Sequence, residues 1–328
     1  MKQILEQLFE NKQLSYTSAK ETLTNIGQGK YNQSQIAAFL TVYLMRSISV
    51  DELTGFRDAL LDLCVRIDLS DFNTIDLCGT GGDGKDTFNI STLSAFIVAG
   101  AGYKVAKHGN YGVSSGCGSS NVLEHLGYQF TSNEDTIKKS IEKAGICFLH
   151  APLFHPALKN VGPTRRELKT KTFFNILGPM VNPSFPKNQI VGVFNLEVAR
   201  LYAYMYQLSG SNFAIIHSMD GYDEISLTGN FKIITNLRDE ILSPEDIGFQ
   251  KINSELIKSG GTIEEAAKIF TNILEGKGTK AQNEVVIANS AFAIQCISKN
   301  KNFDDAVEEA KVSLQRGKAL ESLNKLLN

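Results

Sequence analysis

The stretch Thr74-Ile-Asp76-Leu-Cys78-Gly79-Thr-Gly81-Gly82-Asp83-Gly84-Lys85-Asp86-Thr87-Phe-Asn89-Ile90-Ser91-Thr92 decides how this 328-residue chain is read. Thr74 to Cys78 has the length and apolar content of a short buried strand, and Ser91 to Ala99 that of an apolar helix. Gly100 to Ala106 then reads as a second strand, which closes a βαβ unit with parallel strands. Glycines between a strand and a helix let backbone N–H groups converge on an anion at the helix N-terminus. Asn89, Ser91 and Thr92 add side-chain donors at the same place. A purely structural turn with Ser/Thr caps would need fewer of both.

Gly79, Gly81 and Gly84 also fit the G-x-G-x-x-G spacing of a dinucleotide site. That site requires an acidic residue about 20 positions on, to hold a ribose hydroxyl. The corresponding place reads Tyr103-Lys104-Val105-Ala106-Lys107, so a nicotinamide cofactor is not expected.

Outward from the glycine loop the alternation continues. The pattern predicts a helix at 119–126, a strand at 128–131, a helix at 133–144 and a strand at Ile146–His150. Further on it predicts a strand at Gln189–Phe194, a helix at 196–209 and strands at Phe213–His217 and 231–235. Such βα alternation implies a mostly parallel sheet covered by helices, with the all-helical segment from Thr262 onward packed against it. Upstream, residues 1–66 read as helices only. Three capping boxes (Ser18 to Glu21, Asn32 to Gln35, Ser49 to Glu52) each precede apolar residues at helical spacing. The fold class expected is therefore α/β, with a small all-helical N-terminal domain over 1–70 and a larger sheet domain over 71–328. The stretch from Phe154 to Pro186 breaks the alternation; with Pro152 it holds six of the seven prolines. Part of 155–187 is expected to return to the helical domain and complete it.

Composition limits the function classes. Lys plus Arg number 33 against 35 Asp plus Glu, a net charge of −2, which lacks the broad basic footprint of a general nucleic-acid binder. No run approaches the roughly 18 apolar residues of a membrane span, and the N-terminus has no apolar core of a signal peptide. Five cysteines, widely spaced and without C-x-x-C, suit reduced thiols. A cytoplasmic enzyme is the expectation.

Three further constellations carry chemistry. Lys107-His108-Gly109-Asn110-Tyr111-Gly112-Val113-Ser114-Ser115-Gly116-Cys117-Gly118-Ser119-Ser120 follows the second strand of the βαβ unit. Carboxyl ends of neighbouring parallel strands share one crevice, so this loop should face the first. Two donor-rich loops in one crevice suit a ligand with two separated phosphate groups. Asp220-Gly-Tyr-Asp223-Glu224 offers adjacent carboxylates, hard ligands for Mg²⁺, which binds one or two carboxylates plus substrate phosphates. Arg165-Arg166 offers a guanidinium fork for a carboxylate ligand, although paired arginines on a helix are more often solvated. His125, His150, His155 and His217 have no metal-ligand spacing and read as structural.

These pieces, in this order, resemble the anthranilate phosphoribosyltransferase family of tryptophan biosynthesis. The resemblance rests on DLCGTGGDG with FNIST, KHGN with a following Val-Ser-Ser, Gly-Pro-Thr-Arg-Arg, Asn-Ile-Leu-Gly-Pro-Met-Val-Asn-Pro, and DGYDE, and covers essentially the whole chain. It implies a nucleoside phosphorylase/phosphoribosyltransferase-like fold and transfer of the phosphoribosyl group of phosphoribosyl pyrophosphate to the amine of anthranilate. It further implies that Gly79, Gly82, Asp83, Thr87, Asn89, Ile90, Ser91 and Thr92 bind phosphoribosyl pyrophosphate. Lys107, His108, Gly109, Asn110, Tyr111, Gly112, Val113, Ser114, Ser115 and Ser119 would bind the same substrate. Gly79, His108, Asn110, Arg165 and Pro179 would line the anthranilate path near a hinge between the domains. Ser91, Asp223 and Glu224 would hold two Mg²⁺ ions. A homodimer is implied, and anthranilate synthase is a candidate partner. Tyr111 stands where the family commonly has Arg, Gly116 where it has Lys, and Asn121 where it has Asp. The alternatives weighed are a pyrimidine nucleoside phosphorylase of the same fold and a non-catalytic relative that binds nucleic acid. The retained Asp223-Glu224 pair opposes the first and the net charge the second.

Overall fold

A computed structural model describes residues 1–112 and 117–328. The chain opens with α1 (Lys2–Phe9), α2 (Tyr16–Gly27), α3 (Gln33–Met45) and α4 (Val50–Asp62). It continues through β1 (Thr74–Gly79), α5 (Ile90–Gly100), β2 (Lys104–Gly109), α6 (Ser119–His125), α7 (Glu134–Ala144) and β3 (Ile146–His150). Short helices follow: α8 (Ala151–Phe154), α9 (Gly162–Leu168) and α10 (Phe174–Leu177), with 3₁₀ turns at Pro156–Asn160 and Gly178–Val181. Then come β4 (Asn188–Gly192), α11 (Leu196–Gln207), β5 (Asn212–Ser218), β6 (Phe231–Thr235) and β7 (Asp239–Leu242). Helices α12 (Ile263–Leu274), α13 (Lys280–Ile297), α14 (Phe303–Gln315) and α15 (Lys318–Leu327) end the chain. Two compact units result: Met1–Arg66 with Ala151–Pro183, and Ile67–His150 with Ser184–Asn328.

The helical unit is organised around one buried carboxylate. Glu52 is 0% exposed. It accepts from Leu14 N–H at 2.9 Å, Tyr43 O–H at 3.0 Å, Ser49 N–H at 3.0 Å and both terminal nitrogens of Arg46. Burial pushes this carboxyl upward, but Arg46 and the two backbone donors outweigh it and hold it below the ordinary glutamate value. The capping boxes at Asn32 and Ser49 are present. The third is displaced: Ser15 caps α2 by accepting from Ser18 N–H at 3.2 Å, so the helix starts three residues earlier than the Ser18–Glu21 spacing predicts. Phe173, from the returning segment, stacks on Phe56 at 4.6 Å and meets Tyr43 edge-on at 5.2 Å, closing an aromatic core with Phe39.

The second unit carries a seven-stranded sheet in the order β3-β2-β1-β4-β5-β6-β7. The first five strands are parallel, and β6 and β7 are antiparallel additions. Helix α5 is buried from Ile90 to Ala99 except at Ser91, which is why its sequence is apolar all round: the sheet takes one side and α13 and α15 the other. Three local expectations change. Strand β2 begins at Lys104 because α5 runs on to Gly100 and Gly102, at φ +101°, makes the turn. Residues 128–131 form no strand; Phe130 stacks on His150 at 4.1 Å and Tyr128 meets Phe148 edge-on at 6.4 Å, so their alternation serves side-chain packing on β3. Strand β7 was not expected, since it is short and half-exposed and has little apolar patterning.

The strand order reverses between β1 and β4. From β1 the chain winds outward through β2 and β3, then returns to the other flank through β4 and β5. At such a switch point the loops beyond the strand carboxyl ends part and leave a crevice. The glycine loop after β1 therefore stands at the one place in the sheet where topology opens a site.

Replacing Glu52 by Gln should lower stability at neutral pH by about 3 kcal/mol, because Arg46 is left without its buried counter-charge. Because the folded-state carboxyl is depressed, this contribution is present above the ordinary glutamate value and lost as pH falls through the folded one. Urea denaturation of both proteins should show the difference at pH 7 and its shrinkage in acid. Equal stability at pH 7 would remove Glu52 from this role.

Candidate active site

The loop from Gly79 to Asn89 is shaped by backbone that only certain residues adopt. Gly81, Gly82 and Gly84 have φ of +65°, +75° and +73°, and Asp86 has +51°. Its far side is stitched to the segment before α12 by Phe88 N–H to the Ile257 carbonyl at 3.1 Å and Ser259 N–H to the Asp86 carbonyl at 2.9 Å. Its near side is held by the loop after β5. Asp223 Oδ2 accepts from Gly81 N–H at 2.6 Å, and Glu224 Oε1 accepts from Ser91 N–H, in the first turn of α5, at 2.9 Å.

This approach needs glycine on both central strands. A Cβ on Gly79, the last residue of β1, would lie 2.4 Å from Asp223 Oδ2. One on Gly192, the last of β4, would lie 1.3 Å from the Asp223 carbonyl oxygen. The sheet thus admits the Asp223 backbone across its carboxyl edge at the switch point.

Asp223 is buried and Glu224 half-buried, and loss of solvent raises both above ordinary values; Asp83 adds to this at Asp223, and Asp223 at Glu224. Behind them lies a cavity of about 20 Å³ lined by Ser91, Ser94, Gly192, Asp223, Glu224 and Asn289, the scale of one water or one small ion. Two or three hard oxygen donors held by neutral N–H groups, with net negative charge, fit a small divalent cation. Among the described residues no three His, Cys, Asp or Glu side chains form a ready-made cage. Mg²⁺ does not need one, since it keeps waters and takes substrate phosphate oxygens alongside one or two carboxylates.

Lys107 does not point into solvent. It is 2% exposed, its Nζ donates to the Leu77 carbonyl and stands 3.4 Å from Ser91 Oγ, and burial lowers its pKa. It acts on the site from behind, through Ser91 and the field at Glu224. His108 is also buried, and its N–H donates to Asp76 Oδ1 at 3.1 Å. Asp76, 0% exposed between Ile75 and Leu77, opens the DLCGTGGDG motif, which marks its place but not its bond to His108.

The second loop begins in ordered structure. Asn110 carbonyl accepts from Ser120 N–H at 3.1 Å and Ser119 O–H at 3.3 Å. Asn121 Oδ1 accepts from Gly112 N–H at 3.0 Å and Gly118 N–H at 2.9 Å, tying both shoulders together. Val113, Ser114, Ser115 and Gly116 lie outside the described residues. Tyr111 turns its ring onto His150 at 4.9 Å and its hydroxyl to Glu124 at 3.1 Å. Asn89 donates to the Cys117 carbonyl at 3.2 Å, Thr87 bridges to Lys258, and Thr92 is 1% exposed. His150, His155 and His217 are engaged within their units, with Ser120 Oγ, the Val181 carbonyl and the Val193 carbonyl respectively.

Arg165 and Pro179 belong to the helical unit. The Arg165 guanidinium lies 5.3 Å over Phe174, burial lowers its pKa, and it makes no ion pair among the described residues. A half-buried fork without a carboxylate is suited to receive one. The larger depression of about 410 Å³ against α14 and α15 is different: its Lys301 is already committed to Tyr103 and Glu309.

Two descriptions of one family match the chain: the glycosyl transferase family helical bundle domain over residues 2–64 and its α/β domain over 71–320. The chain is 62% identical to anthranilate phosphoribosyltransferase of Flavobacterium johnsoniae over 326 residues, 99% of this chain and 98% of that one. It is 53% identical to the enzyme of that name from Bacteroides fragilis over 327 residues, 100% and 99% of the two chains. The crystal structure of the Thermus thermophilus anthranilate phosphoribosyltransferase matches with a TM-score of 0.91 at 29% identity, over 98% of each chain. The Saccharomyces cerevisiae enzyme in complex with phosphoribosyl pyrophosphate and Mg matches at 0.90 and 28%, over 98% of this chain and 95% of that one.

Gly79→Ala should leave the sheet folded while pushing Asp223 Oδ2 from its place. Mn²⁺ affinity, read by its paramagnetic effect on water relaxation, should fall at least tenfold, and far-UV circular dichroism should be unchanged. Wild-type affinity in the variant would separate the cation site from Asp223.

Proposed function

The chain belongs to the anthranilate phosphoribosyltransferase family, and on that premise we propose that it transfers the phosphoribosyl group of phosphoribosyl pyrophosphate to the amine of anthranilate, releasing pyrophosphate, in tryptophan biosynthesis. The observation that carries the reading is the clamp in which Gly81 and Ser91 N–H groups each hold one of two adjacent carboxylates, Asp223 buried and Glu224 half-buried, beside the glycine loop. A phosphorylase that takes inorganic phosphate has no need of two clamped acids at that point.

Ser91, Asp223 and Glu224 would hold the divalent cation, two ions in our reading. When bound, Mg²⁺ would neutralise charge on the leaving pyrophosphate. The protein's own part is to present donors. The loop of Gly79, Gly82, Asp83 and Thr87, with Asn89 to Thr92 at the α5 N-terminus, offers backbone N–H groups to phosphate oxygens. His108 through Ser115, with Ser119, would offer the second set, with Lys107 contributing its charge from behind. The two sets would grip the substrate on either side of its ribose, so that cleavage at C1 runs ahead of attack and leaves an oxocarbenium-like centre.

Anthranilate would be lined by Gly79, His108, Asn110, Arg165 and Pro179, with its carboxylate on the Arg165 fork. Its aromatic amine is neutral at pH 7 and already nucleophilic, so positioning supplies most of the rate and no general base is assigned. We carry the homodimer in the same proposal. Phe9 and Met45, at the carboxyl ends of α1 and α3, are 64% and 84% exposed, apolar side chains of the helical unit that a second copy would cover. The proposed setting is cytoplasmic; no helix among the described residues is long and apolar enough to cross a membrane.

Anthranilate fluorescence should fall only when protein, phosphoribosyl pyrophosphate and Mg²⁺ are all present. Asp223→Asn with Glu224→Gln should abolish most of that loss in a folded protein, because amides are poor Mg²⁺ ligands. Thymidine consumption with phosphate, or an active double variant with unchanged Mg²⁺ dependence, would overturn the reading.

Arg165→Ala should raise KM for anthranilate at least ~10-fold, since a charge-assisted contact is worth about 1.5–3 kcal/mol. KM for phosphoribosyl pyrophosphate should move little. Equal effects on both constants would give Arg165 a folding role instead.

A further inference from the structure

Between Gly79 and Asn121 the chain has three lysines, Lys85, Lys104 and Lys107. Two of them are spent inside the fold. Lys104 Nζ donates to the Ile141 carbonyl at 3.0 Å, and Lys107 Nζ to that of Leu77. Tyr111, at the start of the second loop, brings no charge, and its hydroxyl donates to Glu124. Lys85 is left.

Its place is unusual for a lysine without an ion pair. The backbone N–H donates to Asp83 Oδ1 at 3.1 Å. Nζ lies 4.8 Å over the Tyr222 ring, and Cε would be 3.2 Å from a Cβ on Gly221, which has φ +99°. The side chain thus rests along Gly221-Tyr222, immediately before the two clamped carboxylates. Asp83, Asp220, Asp223 and Glu224 surround this loop, yet among the described residues Lys85 pairs with none of them. A cation–π contact at a partly exposed position is worth only about 0.5–1 kcal/mol, so the ammonium is easily redirected to a stronger partner.

We propose that Lys85 is a pyrophosphate-binding residue, the one of these three lysines whose ammonium is not committed inside the fold. Resting on Tyr222, it is stored beside the cation site and swings to the phosphate oxygens of the leaving group when they arrive. Pairing with substrate in place of a protein carboxylate keeps Asp223 and Glu224 available for the divalent ion. The proposal rests on the transferase reading above.

The test is isothermal titration of wild type, Lys85→Met and Lys85→Arg with pyrophosphate in excess Mg²⁺, at low and high salt, beside steady-state kinetics. Methionine keeps an apolar stem on Tyr222 and removes only the charge. Lys85→Met should bind pyrophosphate roughly tenfold more weakly at low salt, with a smaller deficit at high salt. KM for phosphoribosyl pyrophosphate should rise in parallel, KM for anthranilate should hold, and Lys85→Arg should stay close to wild type. Wild-type affinity in Lys85→Met at both salts overturns the proposal. So does a Lys85→Arg as weak as Lys85→Met, which would assign the loss to packing. A wild type that consumes no anthranilate would instead refute the transferase reading, so the two failures are distinguishable.

Discussion

Two carboxylates held by two backbone N–H groups set the terms for the α/β unit. Asp223 on Gly81 and Glu224 on Ser91 join the loop after β5 to the loop after β1 and to the first turn of α5. The bonds are charge-assisted and therefore strong, but they satisfy only part of what a buried carboxylate requires. Burial pushes both acids upward, with repulsion from Asp83 added at Asp223 and from Asp223 at Glu224, so the fold carries an electrostatic cost at this point. A divalent cation would relieve it. The cost is accepted where function needs charge, a familiar reason for perturbed acids to mark a site.

Much of the surrounding sequence reads as a consequence of this clamp. Gly79 and Gly192 have no side chain because Asp223 occupies the space on both. The glycine loop takes positive φ at Gly81, Gly82 and Gly84, and the Gly81 N–H meets Asp223. Lys107, buried against Leu77 and Ser91, supplies positive potential from the protein side without blocking the ligand side. Asp76, behind His108, keeps the end of β2 in register with β1. Each of these groups would be expensive to bury alone; together they compensate one another.

The helical unit uses a related device for a different end. Glu52 gathers donors from the segment before α2, from α3 and from its own helix, and Phe173 brings the returning segment into the same core. Here a buried charge is fully paired and depressed, so it contributes structure rather than reactivity. The contrast between Glu52 and Asp223, both buried but shifted in opposite directions, shows that burial alone does not decide what a carboxylate does. The number and charge of its donors do.

Local patterning determined a great deal here. Apolar periodicity and capping at Asn32 and Ser49 marked the N-terminal helices, and βα alternation marked the parallel strands. The density of glycines after Cys78 marked the anion loop, since backbone conformation depends on the residue itself. Shared motifs carried the family, and with it the expected role of Asp223 and Glu224. Tertiary structure alone decided the rest. Nothing local to Lys107 says that its ammonium turns inward, or that Tyr111 lies on His150 while Lys85 lies on Tyr222. Gly192 carried no motif, the motif that contains Asp76 does not say that its carboxylate turns to the His108 N–H, and 128–131 alternated like a strand without pairing as one. Strand order, and hence the switch point between β1 and β4, depends on which distant segments meet. Periodicity is a property of neighbours along the chain; contacts across 142 residues, as between Gly81 and Asp223, are settled only when the whole core packs.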